Sequence, residues 1–306
     1  MRRGALAAAA ALALGAAPRP SAAMQSQHLF ELATATGPVR STWASLAYDR
    51  GHDELLVLHD GLVRVFNRNG MEVYSFGADG DLGSIRDVAV LDDGGMLVLS
   101  ILDGQLAVSR CDFRGDRVGE LKVAGVPKEL EPFRPDRIAW QGGRLYLVDS
   151  GGMRVAVADA SGAVKSSFAL FDLLGIDPRK RGEAHLGGFS ADAAGNMYLT
   201  IPTLFTAAVV SPEGKVRAFG THGSTPGKFN IIGKMVSDEW GNLYLTDRLR
   251  SVVMVFDKEL QFQGEFGYRG EGKGNLVAPW DIAAGNGKVF VAQAGNRGVS
   301  VFRVVP

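Results

Sequence analysis

One phrase returns through the chain: GGRLYLVDSGGMRVAVAD at 142–159, GNMYLT at 195–200, GNLYLTDRLRSVVMVF at 241–256 and GKVFVAQAGNRGVSVF at 287–302. Each full copy is a short apolar run, a polar or glycine-bearing turn, and a second apolar run, which is the pattern of strand, turn, strand. A further strand precedes each phrase. These strands are aligned at Leu46, Val88, Ile138, Phe189, Met235 and Ile282, so the spacings are 42, 50, 51, 46 and 47 residues. A fourth strand usually follows, as in MEVYSFG (71–77), KVRAFG (215–220) and FQGEFG (262–267).

A four-stranded sheet of this kind has two apolar faces and cannot bury them alone. Packing sheet against sheet in a ring buries both, and a period near 40–50 residues marks such rings. Helical solenoids share the period but need 3.6-residue spacing, which the runs lack. The expected fold is therefore all-β: a six-bladed β-propeller of four-stranded antiparallel blades. The last unit is one strand short, because VSVFRVV runs into Pro306. We expect HLFELATATG (28–37) to supply the missing strand and close the ring, leaving no open edge at the joint.

The first 23 residues differ in kind. Arg2 and Arg3 precede an alanine/leucine run to Ala17, and Ser21-Ala22-Ala23 offers a small-x-small cleavage site. This is the layout of a secretory signal, and the run is too short for a span. The expected organisation is a signal peptide over 1–23 and one propeller domain over 24–306, in the periplasm or outside the cell. The paired arginines do not by themselves distinguish the export route. Cys111 is the single cysteine, so no internal disulfide forms, and a buried, inert thiol is expected. Lys+Arg and Asp+Glu number 33 each, a balance that argues against a nucleic-acid partner. The 40 glycines follow no three-residue period, so they punctuate turns.

GNLYLTDRLRSVVMVFDKELQFQGEFGYRG resembles the NHL repeat: a glycine-led strand, an aspartate turn, an apolar strand ending in phenylalanine, and a Phe-Gly close. The resemblance covers roughly 40–306, is strong in the fifth unit and is diluted in the second and fourth. It implies a six-bladed propeller whose motif residues are structural. Asp149 and Asp247 would hold turns through backbone hydrogen bonds, and Phe76, Phe219 and Phe266 would fill space between blades.

In such a ring the residues before each innermost strand gather at one mouth of the channel, on the same face as the turns between second and third strands. They include Arg86, Asp87, Asp136, Arg137, Lys234, Trp280 and Asp281, where many NHL units carry glycine or proline. Three cations and three anions there, with Trp280 and Trp43 as stacking surfaces, form a candidate site for a polar or anionic ligand; the competing reading is that they pair with one another. The turn Ile201-Pro202-Thr203-Leu204-Phe205-Thr206 is apolar where other units carry turn residues. Leu204 and Phe205 are thus candidates for a protein contact, or for folding back onto a neighbouring blade. The insert 168–185 is read as a short helical turn with a basic stretch, Arg179-Lys180-Arg181.

Peptidyl-hydroxyglycine lyases, six-bladed propellers that resemble this chain in their repeats, use channel histidines to hold zinc, but of His28, His52, His59, His185 and His222 only His185 precedes an inner strand. Gluconolactonase-like propellers hold a divalent cation through carboxylates. Asp87, Asp136 and Asp281 offer oxygens, but Arg86, Arg137 and Lys234 would repel it. No catalytic residue, metal or cofactor is therefore assigned. The expectation is an exported binding or scaffold module, a monomer or part of an extracytoplasmic complex, that recognises a protein or small polar ligand at the mouth. A metal-dependent propeller enzyme is the alternative.

Overall fold

The computed structural model describes residues 24–305, so the stretch read as an export signal lies outside the described residues. Six four-stranded antiparallel sheets follow one another, the first five in chain order from an inner to an outer strand. Blade 1 comprises Ser45–Asp49, Glu54–His59, Leu62–Phe66 and Glu72–Phe76. Blade 2 comprises Ser84–Val90, Met96–Leu102, Gln105–Cys111 and Arg117–Glu120. Blade 3 runs Arg137–Gln141, Arg144–Asp149, Arg154–Ala158 and Val164–Ala169. Blade 4 runs Gly188–Ala191, Met197–Ile201, Thr206–Val210 and Val216–Phe219. Blade 5 is Ile232–Ser237, Leu243–Asp247, Val252–Phe256 and Phe262–Phe266.

Blade 6 takes Ile282–Gly285, Lys288–Ala292 and Val299–Val305 from the C-terminal end, and Gln25–Glu31 from the N-terminal end. The seam pairs Gln25 with Val305 through to Glu31 with Ser300. Ser300 Oγ donates to the Glu31 carboxylate at 2.8 Å, and His28 Nε2 lies 2.9 Å from the same group. Gln293 Nε2 donates to Ser300 Oγ at 2.6 Å, so a polar chain crosses the joint of the two chain ends.

The second strands read as continuous apolar runs because both of their faces are covered. In blade 1, Leu55 and Val57 point into the core shared with blade 6, whereas Leu56 and Leu58 point into the core shared with blade 2. Each such side chain, fully buried, contributes about 1.5–3 kcal/mol. Six apolar clusters result, one between each adjacent pair of blades. Phe76 and Phe266 sit in two of them, and half-buried Phe219 packs edge-on against Phe229 and Phe256.

Aspartates fasten the turns. Asp247 accepts from Asn230 N at 2.7 Å and Arg250 N at 3.1 Å, and Asp149 accepts from Gly152 N at 2.8 Å. At the opposite face, Asp192 holds Asn196 and the Tyr198 hydroxyl as Asp238 holds Asn242 and the Tyr244 hydroxyl, the same spacing in neighbouring blades. Cys111 is buried and its thiol is pushed up to about 11 by desolvation, as an inert core position requires. The insert forms the helical turn Leu170–Leu173 and the 3-10 turn Pro178–Lys180. Among the described residues no helix is long and apolar enough to cross a membrane.

Candidate functional site

The inner strands of all six blades line a narrow polar channel. Their packing leaves no room for a side chain at two positions. A Cβ added to Gly188 would run into the Cα of Lys234, and one added to Gly233 into the carbonyl oxygen of Trp280. Glycine at these places lets blades 4, 5 and 6 crowd together at the mouth.

The structure divides the charged residues read as a rim. Lys234 Nζ lies 2.8 Å from Asp281 Oδ1 and donates to Leu46 O at 3.1 Å. Asp281 is buried and also accepts from Ile282 N at 2.6 Å, so this pair is satisfied within the channel wall. Asp87 accepts from Val88 N at 3.0 Å and Ile138 N at 2.9 Å, tying blade 2 to blade 3. Desolvation pushes its carboxyl up to about 6, against the pull of Ile138 N–H, Arg137, Lys234 and Val88 N–H. Exposed Asp136 accepts from Ser150 N at 2.9 Å. Arg86 sits exposed at a bulge between Ile85 and Asp87, outside the residues lining the channel and the cleft above it. Arg137 lines both channel and cleft. Among the described residues neither Arg86 nor Arg137 has a carboxylate within ion-pair distance.

The cleft opens over blades 3 to 6 with a volume of about 680 Å³. It contains a residue that the sequence reading passed over as a turn residue, Arg248. Its turn is set by Asp247 and by the bond from Arg248 N to Ile231 O at 2.8 Å, which carry the side chain toward the mouth. There its guanidinium carbon lies 4.4 Å from the Trp43 ring centre and 4.6 Å from that of Trp280. The two indoles meet edge to face, with centroids 5.1 Å apart and planes at 84°. Each such cation–π contact contributes about 0.5–2 kcal/mol. Desolvation lowers the pKa of Arg248, and its Nε is buried without a hydrogen-bond partner. The available signal was a cation directly after the turn aspartate; its partners, from blades 6 and 1, are remote in sequence.

The apolar turn is not an exposed ridge. Pro202–Leu204 winds as a 3-10 turn, Leu204 packs half-buried on the core between blades 3 and 4, and Phe205 lies against His222 with ring centroids 4.1 Å apart. Phe205 also forms a wall of the cleft, as does His185, whose Nδ1 lies 3.4 Å from Glu183 O. In the basic stretch, Arg181 is held by Asp172 at 2.6 Å. Among the described residues no three His, Cys, Asp or Glu side chains come together as a set able to hold a metal ion.

These features define a six-bladed β-propeller with an aromatic and cationic cleft at one mouth. No protein-family model and no curated protein matches the sequence. Solved structures share the fold. A Bacteroides thetaiotaomicron protein of unknown function superposes with a TM-score of 0.63 at 16% identity, over 92% of this chain and 76% of that one. Virginiamycin B lyase from Staphylococcus aureus gives 0.58 at 10% identity, over 92% and 99%. A Xanthomonas campestris gluconolactonase gives 0.53 at 13%, over 87% of each. At such identities the likeness concerns architecture, since one fold hosts many chemistries.

Proposed function

We propose that the chain is an exported NHL-type propeller that acts as a binding or scaffold module, with the ligand received at the channel mouth. The observation that carries this reading is that Arg137 and Arg248 line one cleft and neither has a carboxylate partner among the described residues. Cations held at the edge of a rigid scaffold without a carboxylate in ion-pair contact are suited to meeting one on a ligand. In this reading Arg137, Arg248 and Trp280 touch the ligand. Lys234, Asp281 and Asp87 hold the wall beneath, Asp136 fixes the neighbouring turn, and Arg86 extends the positive field beside the mouth. Phe205 adds an apolar wall, and Leu204 anchors the turn that carries it.

The metal-dependent alternative draws support from the fold likeness to a lyase and a gluconolactonase. It has only His185 among histidines at the cleft, and metal analysis of purified protein tests it directly: a stoichiometric divalent ion favours the enzyme. For the binding reading, protein isolated from its native host is analysed by mass spectrometry for retained molecules. The wild type carries a bound species that Arg137→Glu lacks, while the variant still unfolds in one cooperative transition. Equal retention by both removes the mouth as the site.

A further inference from the structure

We infer that the cleft recognises a carboxylate on a small, partly apolar molecule, and that Arg248 is the group that grips it. This rests on the mouth being a binding site and says what it binds.

Arg248 is held as a receptor group would be. It sits in the corner of two perpendicular indoles, which stabilise its charge through their π faces but offer no acceptor. Its backbone is fixed by Ile231 O, and Nε is buried without a partner. Arginine keeps its charge even where burial opposes it, so the guanidinium retains unanswered donors in a partly dry place. The indole that walls it also has an unusual backbone: Trp43 has φ 63°, a left-handed conformation that a bulky residue adopts only when its surroundings hold it there.

The arginines that line the cleft outnumber its carboxylates. Arg137 and Arg248 face the cleft with one carboxylate, Asp136, one oxygen of which already accepts from Ser150 N. A surplus of one positive charge matches a monoanion, and a planar guanidinium edge matches the two oxygens of a carboxylate. Phe205, Ile231, Ile232, Leu186 and Pro202 give the rest of the lining a largely apolar character, interrupted by His185, Thr203 and Asn230. A volume of about 680 Å³ is that of a small-molecule pocket. Aromatic or branched aliphatic acids satisfy all three conditions.

The test compares acids with their primary amides, which share shape but not charge, on the whole exported protein: phenylacetate against phenylacetamide, and 4-methylpentanoate against 4-methylpentanamide. The indole N–H signals of Trp43 and Trp280, assigned with Trp43→Phe and Trp280→Phe, report binding by NMR. The acids shift these signals saturably and the amides do not. Arg248→Gln weakens acid binding at least about tenfold, as loss of a charge-assisted contact requires. If amides bind as tightly as acids, carboxylate recognition is wrong while the mouth remains a binding site. If neither class moves either indole, carboxylate recognition is likewise overturned, and retention of a bound species by native protein decides separately whether the mouth binds anything.

Discussion

Lys234 Nζ lies 2.8 Å from Asp281 Oδ1 and 3.1 Å from Leu46 O, so one side chain joins blades 5, 6 and 1 at the channel wall. The two side chains are 15% and 3% exposed, and a buried charge left without its partner is costly. Lys234→Met should lower unfolding stability by about 3–5 kcal/mol, and adding Asp281→Leu should restore much of it. Urea denaturation measures both. A Lys234→Met protein as stable as wild type would show that the pair does not hold the ring.

Asp87 gives a titration of defined sign. Burial raises its carboxyl from 3.8 to about 6, so between those values the folded state keeps a proton that the unfolded state has lost. The stability contributed by this group is present below about pH 4 and falls as pH rises through about 6. Carboxyl ¹³C NMR should give a midpoint near 6. Arg137→Gln should move it higher, because Arg137 is one of the two cations favouring the ionised form. A wild-type midpoint below 4 contradicts this account.

The turn aspartate that aims Arg248 should matter for both folding and binding. Asp247 is fully buried and accepts from Asn230 N and Arg250 N. Asp247→Ala leaves two donors unanswered and should cost about 2–5 kcal/mol by thermal or urea unfolding. A loss below about 0.5 kcal/mol, the range of ordinary surface changes, would mean that the turn holds itself.

The blades were legible because their signals are local and doubled. A run such as LLVL at 55–58 is apolar throughout only if each face meets another sheet, and Leu55 and Leu56 do enter different cores. The missing strand of the last unit could be counted, but its bounds fall earlier than expected: Gln25–Glu31 fills it, while Ala33–Thr34 and Gly37–Pro38 of the expected 28–37 pair with each other instead. The rim was less legible. Its members could be gathered by strand position, but which charges pair depends on the closeness of blades. Lys234 finds Asp281 because Gly233 admits the backbone of Trp280. Trp43 and Trp280 meet only because the ring closes, and they give Arg248 a setting that its own neighbours in sequence do not announce. Leu204 and Phe205 were ambiguous for the same reason: Leu204 packs on the core between blades 3 and 4, and Phe205 on the core between blades 4 and 5 and against His222.

The shared mouth exists because the N-terminal and C-terminal strands meet in blade 6. Gln27 and Arg303 are directly opposed across that seam and both are exposed. Opposed Cα atoms in antiparallel strands lie about 4.5–5.5 Å apart, within disulfide reach. Cys111 is buried and does not compete. Under mild oxidation the Gln27→Cys, Arg303→Cys double variant should cross-link within the chain to completion and melt at a higher temperature than its reduced form. An uncross-linked product under the same conditions would contradict a ring closed by the N-terminal strand.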